Sequence, residues 1–236
     1  MRNDNFYIFS YAAVVCLVCS ILLSLAATQL QPLQAENVKL DIRKNIMIAL
    51  GIIKADEKFT REELNQKFTA VKELVVDLEG NILEGVKPEN LTEKDLDTKL
   101  PIFQVLADGT VQGYAFPIVG RGLWSTLKGY LALEADTATV KGLTFYQHGE
   151  TPGLGAEIEQ SWFTNNFKAK KVRDNLGNLV GVTVVKGKAT DSGRPLDHVV
   201  DGISGATITA DGVTKMFKVG LTKYDPYFER VRQGGR

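Results

Sequence analysis

Three glycine-rich segments hold the residue types best suited to chemistry. They cover residues 120–125, 148–155 and 201–207. Glycine adopts positive φ angles and lets a backbone approach a ligand closely, so three such segments in one small domain could form a single site walled by main chain. Tight turns between strands would use glycine in the same way, and the composition of these segments does not separate the two interpretations.

The segment Asp201-Gly-Ile-Ser-Gly-Ala-Thr207 has a feature that the other two lack. It directly precedes a predicted helix, which Thr209 is expected to cap and whose apolar residues follow at helical spacing. Unpaired backbone N–H groups and the positive end of the helix dipole favour a phosphate at such a place. The Thr207 hydroxyl could coordinate that phosphate or be esterified to it, and physical reasoning alone favours coordination.

Several other chemistries lack the residues they need. Residues 120–122 and 153–155 each begin a G-x-G pattern, but neither continues to the third glycine of the dinucleotide fingerprint, and no phosphate-binding G-x-x-x-x-G-K-[ST] loop occurs. Residues 202–206 miss the last glycine of the hydrolase nucleophile elbow, and His148 and His198 are the only histidines. Both cysteines lie before residue 20, so a zinc site is poorly supplied. We therefore predict no catalytic residue and no metal site.

The elements that must position these segments are strands joined by short turns, with helices near both ends of the domain. Helices are predicted over residues 38–53, with an interruption at Gly51, after the capping box Thr60-Arg-Glu-Glu63, and over residues 156–167. Strands are predicted over residues 70–78, 102–106, 111–118, 130–134, 140–147 and 179–185, with Asp108-Gly109 as a hairpin turn. This order favours an α+β fold on an antiparallel sheet.

The first 35 residues differ in composition from the rest. Residues 5–35 contain no charged side chain, and the apolar run over about residues 6–30 is long enough to cross a bilayer as a helix. We predict an N-terminal segment over residues 1–35 with one transmembrane helix, followed by a soluble domain over residues 36–236. A cleaved signal peptide is the alternative, although the run is longer than the usual apolar region of a signal peptide.

Charge and cysteine content narrow the function classes further. Lys plus Arg and Asp plus Glu both number 28, so nothing suggests a nucleic-acid partner. Cys16 and Cys19 have the spacing of a redox pair but lie in the apolar run, where a thiolate is disfavoured, and we interpret them as small apolar residues. Basic residues flank the run on both sides, so charge counting leaves the orientation of the helix open.

Residues 201–207 resemble the flavinylation motif of the FMN-binding domain family, in which a flavin transferase uses FAD to attach FMN, through its phosphate, to the threonine of the motif. Residues 120–133 and 142–155 closely resemble one branch of that family, the NqrC subunits of the Na⁺-translocating NADH:quinone oxidoreductases. The likeness extends from the N-terminal apolar run to Tyr224. The RnfG subunit of the related Rnf ferredoxin:NAD⁺ complex shares the Ser-Gly-Ala-Thr sequence and is the alternative, but Gly-Leu-Trp-Ser-Thr at residues 122–126 favours the quinone reductase.

The resemblance implies an electron carrier with FMN esterified to Thr207. It implies one helix in the lipid of the bacterial inner membrane, a soluble domain on the periplasmic side, and five partners in a complex of six subunits. In this complex the protein would pass electrons between an iron centre and the covalent FMN of NqrB, and the net reaction would not be catalysed by this chain alone. A membrane-anchored flavoenzyme with a soluble acceptor and a non-redox scaffold are the other function classes.

The same resemblance suggests which residues contact FMN. Apolar walls for the flavin ring are predicted at Leu123, Trp124, Pro152 and Leu154. Arg121 or Lys188 could stabilise a negatively charged reduced flavin. With the covalent Thr207, the predicted cofactor-binding residues are Asp201, Ser204, Gly205, Ala206, Arg121, Leu123, Trp124, Glu150, Thr151, Leu154 and Gly155.

Overall fold

The computed structural model describes residues 2–92 and 94–234. Its α-helices are α1 (Arg2–Ala49), α2 (Arg61–Phe68), α3 (Ser161–Thr164) and α4 (Thr207–Arg232). Its strands are β1 (Val71–Val76), β2 (Leu100–Ala107), β3 (Thr110–Arg121), β4 (Thr126–Glu134), β5 (Val140–Gln147), β6 (Thr183–Val184) and β7 (Val199–Val200). Internal contacts divide the chain into two units, Met1–Asp41 and Ile42–Arg236.

The predicted transmembrane helix and the predicted helix over residues 38–53 are one continuous helix, α1. The helix does not stop where the apolar run stops, because most of the residues between the two predicted helices, such as Gln31, Ala35 and Glu36, favour helix. It ends at Ala49, and Gly51 follows with a φ of 73°, which agrees with the predicted interruption.

The apolar part of α1 has the properties of a candidate membrane span. Within the described residues, Phe6–Ala49 is long and apolar enough, with a window of mean hydropathy 2.5 of which none is buried. Its large apolar side chains, from Phe6 to Leu33, are exposed along their length. Continuous apolar surface of this kind requires an apolar environment to cover it.

A five-stranded antiparallel sheet organises the second unit. Its strands lie in the order β1-β2-β3-β4-β5, so each strand pairs with the next one along the chain. The predicted hairpin is confirmed, because Asp108 and Gly109 connect β2 and β3 with φ angles of 50° and 75°. The predicted α+β class with an antiparallel sheet and flanking helices is therefore correct.

Both faces of the sheet are buried, which explains why its strands carry long apolar runs. Helix α4 covers one face, where Phe217 and Phe228 pack in one cluster with Phe116 of β3. Residues near the end of α1, such as Met47, cover the other face together with Phe68 of α2.

Helix α2 begins as its sequence predicts. The Thr60 hydroxyl accepts a hydrogen bond from the Glu63 N–H at 3.3 Å, and the Glu63 carboxylate accepts one from the Thr60 N–H at 2.8 Å. This reciprocal pair is a capping box, and it fixes the start of the helix that packs on the second face of the sheet.

Two predicted elements are shorter than expected. The strand predicted over residues 179–185 is reduced to β6, which pairs in parallel with β7, because Gly181 has a φ of 71° and interrupts the extended run. The helix predicted over residues 156–167 is divided into short turns around α3, because Gln160 is extended, with a ψ of 143°. Both segments nevertheless contribute to the wall of the site described next.

Candidate functional site

The candidate site lies at the start of α4, which begins at Thr207 itself. The preceding residue, Ala206, makes no side-chain capping hydrogen bond, and the first turn of the helix contains no acidic residue. The unpaired N–H groups of this turn therefore leave a partial positive charge without local compensation. Such a helix start favours an anionic group such as a phosphate.

Two threonines in this turn have different surroundings. Thr207 is exposed, and its hydroxyl makes no hydrogen bond within the described part of the chain. Thr209 is 1% exposed, and its hydroxyl donates to Oε2 of Glu150 at 2.6 Å. The expectation that Thr209 caps the helix was wrong, because the helix starts two residues earlier and the Thr209 side chain points into the domain. Of the two, Thr207 presents the hydroxyl that an external group can reach.

The Glu150 carboxylate joins the three glycine-rich segments. Oε1 accepts hydrogen bonds from the N–H groups of Trp124 at 3.0 Å and Ser125 at 3.1 Å, and from the Ser125 hydroxyl at 3.2 Å. Oε2 accepts from the Leu123 N–H at 3.2 Å in addition to Thr209. The side chain is only 5% exposed, so one buried carboxylate holds the loop after β3 and the first turn of α4 together.

Glu150 is ionised although it is buried. Burial opposes the charged form, but the hydrogen bond from the Thr209 hydroxyl and those from the backbone of Trp124, Ser125 and Leu123 outweigh it, so the pKa of Glu150 lies below its ordinary value. Sequence reasoning placed Glu150 among direct cofactor contacts. The geometry shows instead that both of its oxygens are engaged by protein donors.

The loop of residues 148–155 and the motif of residues 201–207 are in direct contact. A Cβ atom on Gly155 would lie 2.7 Å from Oγ1 of Thr209 and 2.9 Å from Cβ of Glu150. Gly205 has a φ of 75°, and a Cβ atom there would lie 2.8 Å from Cδ2 of Leu154. Any larger residue at either position would push these segments apart, which explains why both are glycine.

A cleft of about 500 Å³ opens beside Thr207. The motif contributes Asp201, Gly202, Ile203, Ser204, Gly205 and Thr207 to its wall, and α4 contributes Ala210 and Asp211. The opposite wall is formed by Trp162, Asn166, Val184, Val185, Lys186, Gly187 and Lys188. The cleft thus combines an exposed hydroxyl, two lysines and an aromatic side chain.

Asp201 shapes this cleft through the backbone. Its Oδ1 accepts the N–H of Ala189 at 2.7 Å, and the N–H of Gly202 donates to the carbonyl oxygen of Gly187 at 2.8 Å. These bonds fix the turn that carries Lys188 next to the motif. Asp201 therefore holds the basic side of the cleft in place.

The predicted apolar walls lie on the surface. Leu123 is 43% exposed, Trp124 is 71% exposed and Leu154 is 42% exposed, and Ile208, beside Thr207, is 58% exposed. These side chains are carried by the segments that the Glu150 carboxylate and the Leu154–Gly205 contact join. Exposed apolar groups beside a polar cleft are typical of a ligand site.

Some predicted residues do not line the cleft, and some of the lining was missed. Arg121 is exposed at the end of β3 and, like Thr151, is absent from the cleft wall, whereas Lys188 is part of it. Sequence reasoning missed Trp162, whose indole N–H donates to Glu157 at 3.0 Å, and Lys186. The one available signal was a tryptophan on the polar side of a short amphipathic segment. Among the described residues no cluster of His, Cys, Asp or Glu could hold a metal ion.

These features fit a phosphate-bearing, partly aromatic group. The helix start and the lysines suit a phosphate, the glycine contacts leave room at Thr207, and the exposed apolar side chains can pack against a ring system.

Comparison with known proteins identifies relatives over nearly the whole chain. A family model described as an FMN-binding domain matches residues 122–222. The NqrC subunit of the Na⁺-translocating NADH-quinone reductase from Pseudomonas aeruginosa is 33% identical over 249 residues, which cover 94% of this chain and 94% of the relative. Its counterpart from Yersinia pestis is 32% identical, covering 94% of this chain and 91% of the relative.

Solved structures give the same answer. The crystal structure of this reductase protein from Parabacteroides distasonis aligns with a TM-score of 0.73 and 32% identity, covering 84% of this chain and 96% of that chain. The crystal structure of NqrC from Shewanella oneidensis aligns with a TM-score of 0.67 and 27% identity, covering 82% of this chain and 97% of that chain.

Proposed function

Because the chain belongs to the NqrC family of the Na⁺-translocating NADH-quinone reductases, we propose that it carries electrons through an FMN esterified to Thr207. The chain is a flavoprotein subunit of this oxidoreductase complex. The covalent bond to Thr207, the membrane anchor and its orientation, and the full set of partners are the proposed parts.

The observation that carries the attachment site is the contrast between two threonines. Thr207 has an exposed hydroxyl at an uncompensated helix start, whereas the Thr209 hydroxyl is buried and bound to Glu150. Only the first can form a bond to a group that arrives from solvent. Lys186 and Lys188 line the cleft beside it and can offset the negative charge of a phosphate diester.

Bound FMN supplies the electron-accepting and electron-donating chemistry. The residues of this chain hold and surround it. The ester retains the phosphate, and the N–H groups of the first turn of α4 stabilise its charge. Trp124, Leu123 and Leu154 offer an apolar surface for the ring, and the hydrogen bonds to Glu150 keep the loop that carries Leu123 and Trp124 in place.

Attachment requires a separate flavin transferase. A threonine hydroxyl is a poor nucleophile near neutral pH and needs a positioned base or metal. The two histidines of the chain are engaged elsewhere: His148 contacts Glu159 at 3.0 Å, and Nδ1 of His198 lies 2.7 Å from the carbonyl oxygen of Lys171. We propose that the transferase supplies the activating groups, and that a host without it yields apoprotein.

The membrane arrangement is proposed from α1 and the family. The exposed apolar run of α1 anchors the chain in the lipid of the bacterial inner membrane, the second unit lies on the periplasmic side, and the chain works as one of six subunits. Protease added to intact spheroplasts should trim the second unit. Full protection of that unit would contradict the proposed orientation.

The attachment site is tested by Thr207→Val, with Thr209→Val as the matched control. Valine keeps the β-branched shape but replaces the hydroxyl with a methyl group. We expect the fluorescent flavin band on a denaturing gel to disappear with Thr207→Val and to persist with Thr209→Val. Peptide mass spectrometry over residues 201–215 locates the flavin, and a flavin on Ser204 or Thr209 in the native protein would show that Thr207 is not the acceptor.

A further inference from the structure

The buried carboxylate of Glu150 has no cationic partner among the described residues. Its hydrogen-bond donors are backbone N–H groups and the hydroxyls of Ser125 and Thr209, all of them neutral. No lysine, arginine or histidine side chain in the described part of the chain forms an ion pair with it. A buried acid used only for fastening could be replaced by a neutral amide, so an ionised, unpaired one calls for another explanation.

The position of this charge suggests what it acts on. Glu150 binds the N–H groups of Leu123 and Trp124, two of the exposed apolar residues, and the hydroxyl of Thr209, two residues beyond the proposed attachment point. The lysines of the site lie in the wall of the cleft, of which Glu150 is not a part. The site therefore has positive charge in the cleft beside Thr207 and one negative charge behind the loop that carries Leu123 and Trp124.

We propose that Glu150 is a positioning residue that also tunes the redox potential: its fixed negative charge lowers the reduction potential of the flavin. This inference rests on the proposed function. An electron that enters the flavin comes from a donor of the complex and leaves to an acceptor of the complex, so each transfer brings negative charge to the ring and later removes it. A nearby fixed carboxylate opposes the arrival and favours the departure of that electron.

General electrostatics gives the expected size. A unit charge on the order of 10 Å away, at an effective dielectric constant of about 20, changes a one-electron equilibrium by about tenfold. The donors around Glu150 point their positive ends at the carboxylate and reduce its field without cancelling it. They also explain how a charge can be kept in a buried place, since the hydrogen bonds lower the pKa of Glu150 despite burial.

The decisive variant is Glu150→Gln in the detergent-purified full chain that carries its flavin. Glutamine is nearly isosteric but uncharged, so the midpoint potential should rise by an amount equivalent to about tenfold in the one-electron equilibrium constant, about 59 mV. The potential is measured by spectroelectrochemical titration with dithionite as reductant. Glu159→Gln is the matched control, because the Glu159 carboxylate is in the same region but 49% exposed, and its removal should leave the potential unchanged.

A second variant separates charge from geometry. Thr209→Val removes one donor but keeps the carboxylate, so the remaining field at the flavin is stronger and the potential should fall. A purely structural role of Glu150 predicts shifts in the same direction for Glu150→Gln and Thr209→Val, since both loosen the same contacts. If Glu150→Gln does not fold, Thr209→Val alone carries the test, and an unchanged or raised potential there overturns the proposal.

Failure of this proposal is distinguishable from failure of the proposed function. Absence of a covalent flavin on Thr207 in the native chain would remove the proposed function itself. A covalent flavin whose potential is the same with Glu150 and with Gln at that position would overturn only the role of the carboxylate.

Discussion

The hydrogen bond between Thr209 and Glu150 should stabilise the domain independently of any cofactor. Thr209→Val removes a donor from a buried, ionised carboxylate while keeping the shape of the side chain, and four donors from Leu123, Trp124 and Ser125 remain. Hydrogen bonds to charged groups contribute about 1.5–3 kcal/mol, so we expect a loss of about 2 kcal/mol. For a domain of this size that corresponds to a fall in Tm of about 4–8 °C.

The same substitution two residues earlier supplies the comparison. The Thr207 hydroxyl is exposed and makes no hydrogen bond within the described residues, so Thr207→Val should change Tm by about 1 °C or less. Both variants are measured as apoprotein, in detergent, by near-ultraviolet circular dichroism during heating, so that flavin binding does not contribute. Equal shifts for the two variants would refute the argument that Thr209 has a structural role and Thr207 does not.

Three further outcomes are expected. The depressed pKa of Glu150 contributes stability that is present above its unfolded value of 4.5 and is lost as the pH falls through the lower folded value, so the decline of Tm in acid should be shallower in Glu150→Gln than in the parent. Gly155→Ala places a Cβ atom 2.7 Å from the Thr209 hydroxyl and should cost about 1–3 kcal/mol in urea unfolding, whereas Gly149→Ala, with its nearest contact at 3.2 Å, should cost less. Trp124→Ala should shift the visible absorption of the flavin without preventing its attachment, and an unchanged spectrum would separate Trp124 from the ring.

Local chemistry made much of the fold predictable. The hairpin at Asp108-Gly109 and the capping box at Thr60 depend on residues that are close in sequence, and both are present in the structure. The strands were found because their apolar runs are bounded by turn residues. The α+β class follows from their order alone.

Predictions failed where distant contacts outweigh local preference. Thr209 has the side chain of a good helix cap, yet it is buried because a carboxylate 59 residues earlier in the chain accepts its hydroxyl. No local pattern reveals such a partner. The strand predicted over residues 179–185 likewise depended on a pairing partner, and β7 supplies only Val199 and Val200.

The candidate site was predicted in part for the same reason. The motif that ends at Thr207 is contiguous and could be identified from sequence. Trp162 and Lys186 reach the cleft from separate segments whose own patterns indicate only a short amphipathic turn and a strand end. Their contribution depends on the packing of β6 and α3 against the motif, which the sequence does not display.

The consecutive strand order also has a consequence for the sequence of folding events. Neighbouring strands of the five-stranded sheet are neighbours in the chain, and the entropy cost of closing the short connections between them is small. The bond from Thr209 to Glu150 closes a loop of 59 residues and needs α4, near the end of the chain. During synthesis the sheet can therefore form before α4 has been made, and Thr207 reaches its final surroundings late. Any modification of that hydroxyl should then follow folding of the sheet, and pulse-labelled chains should acquire protease resistance in the sheet before they acquire flavin.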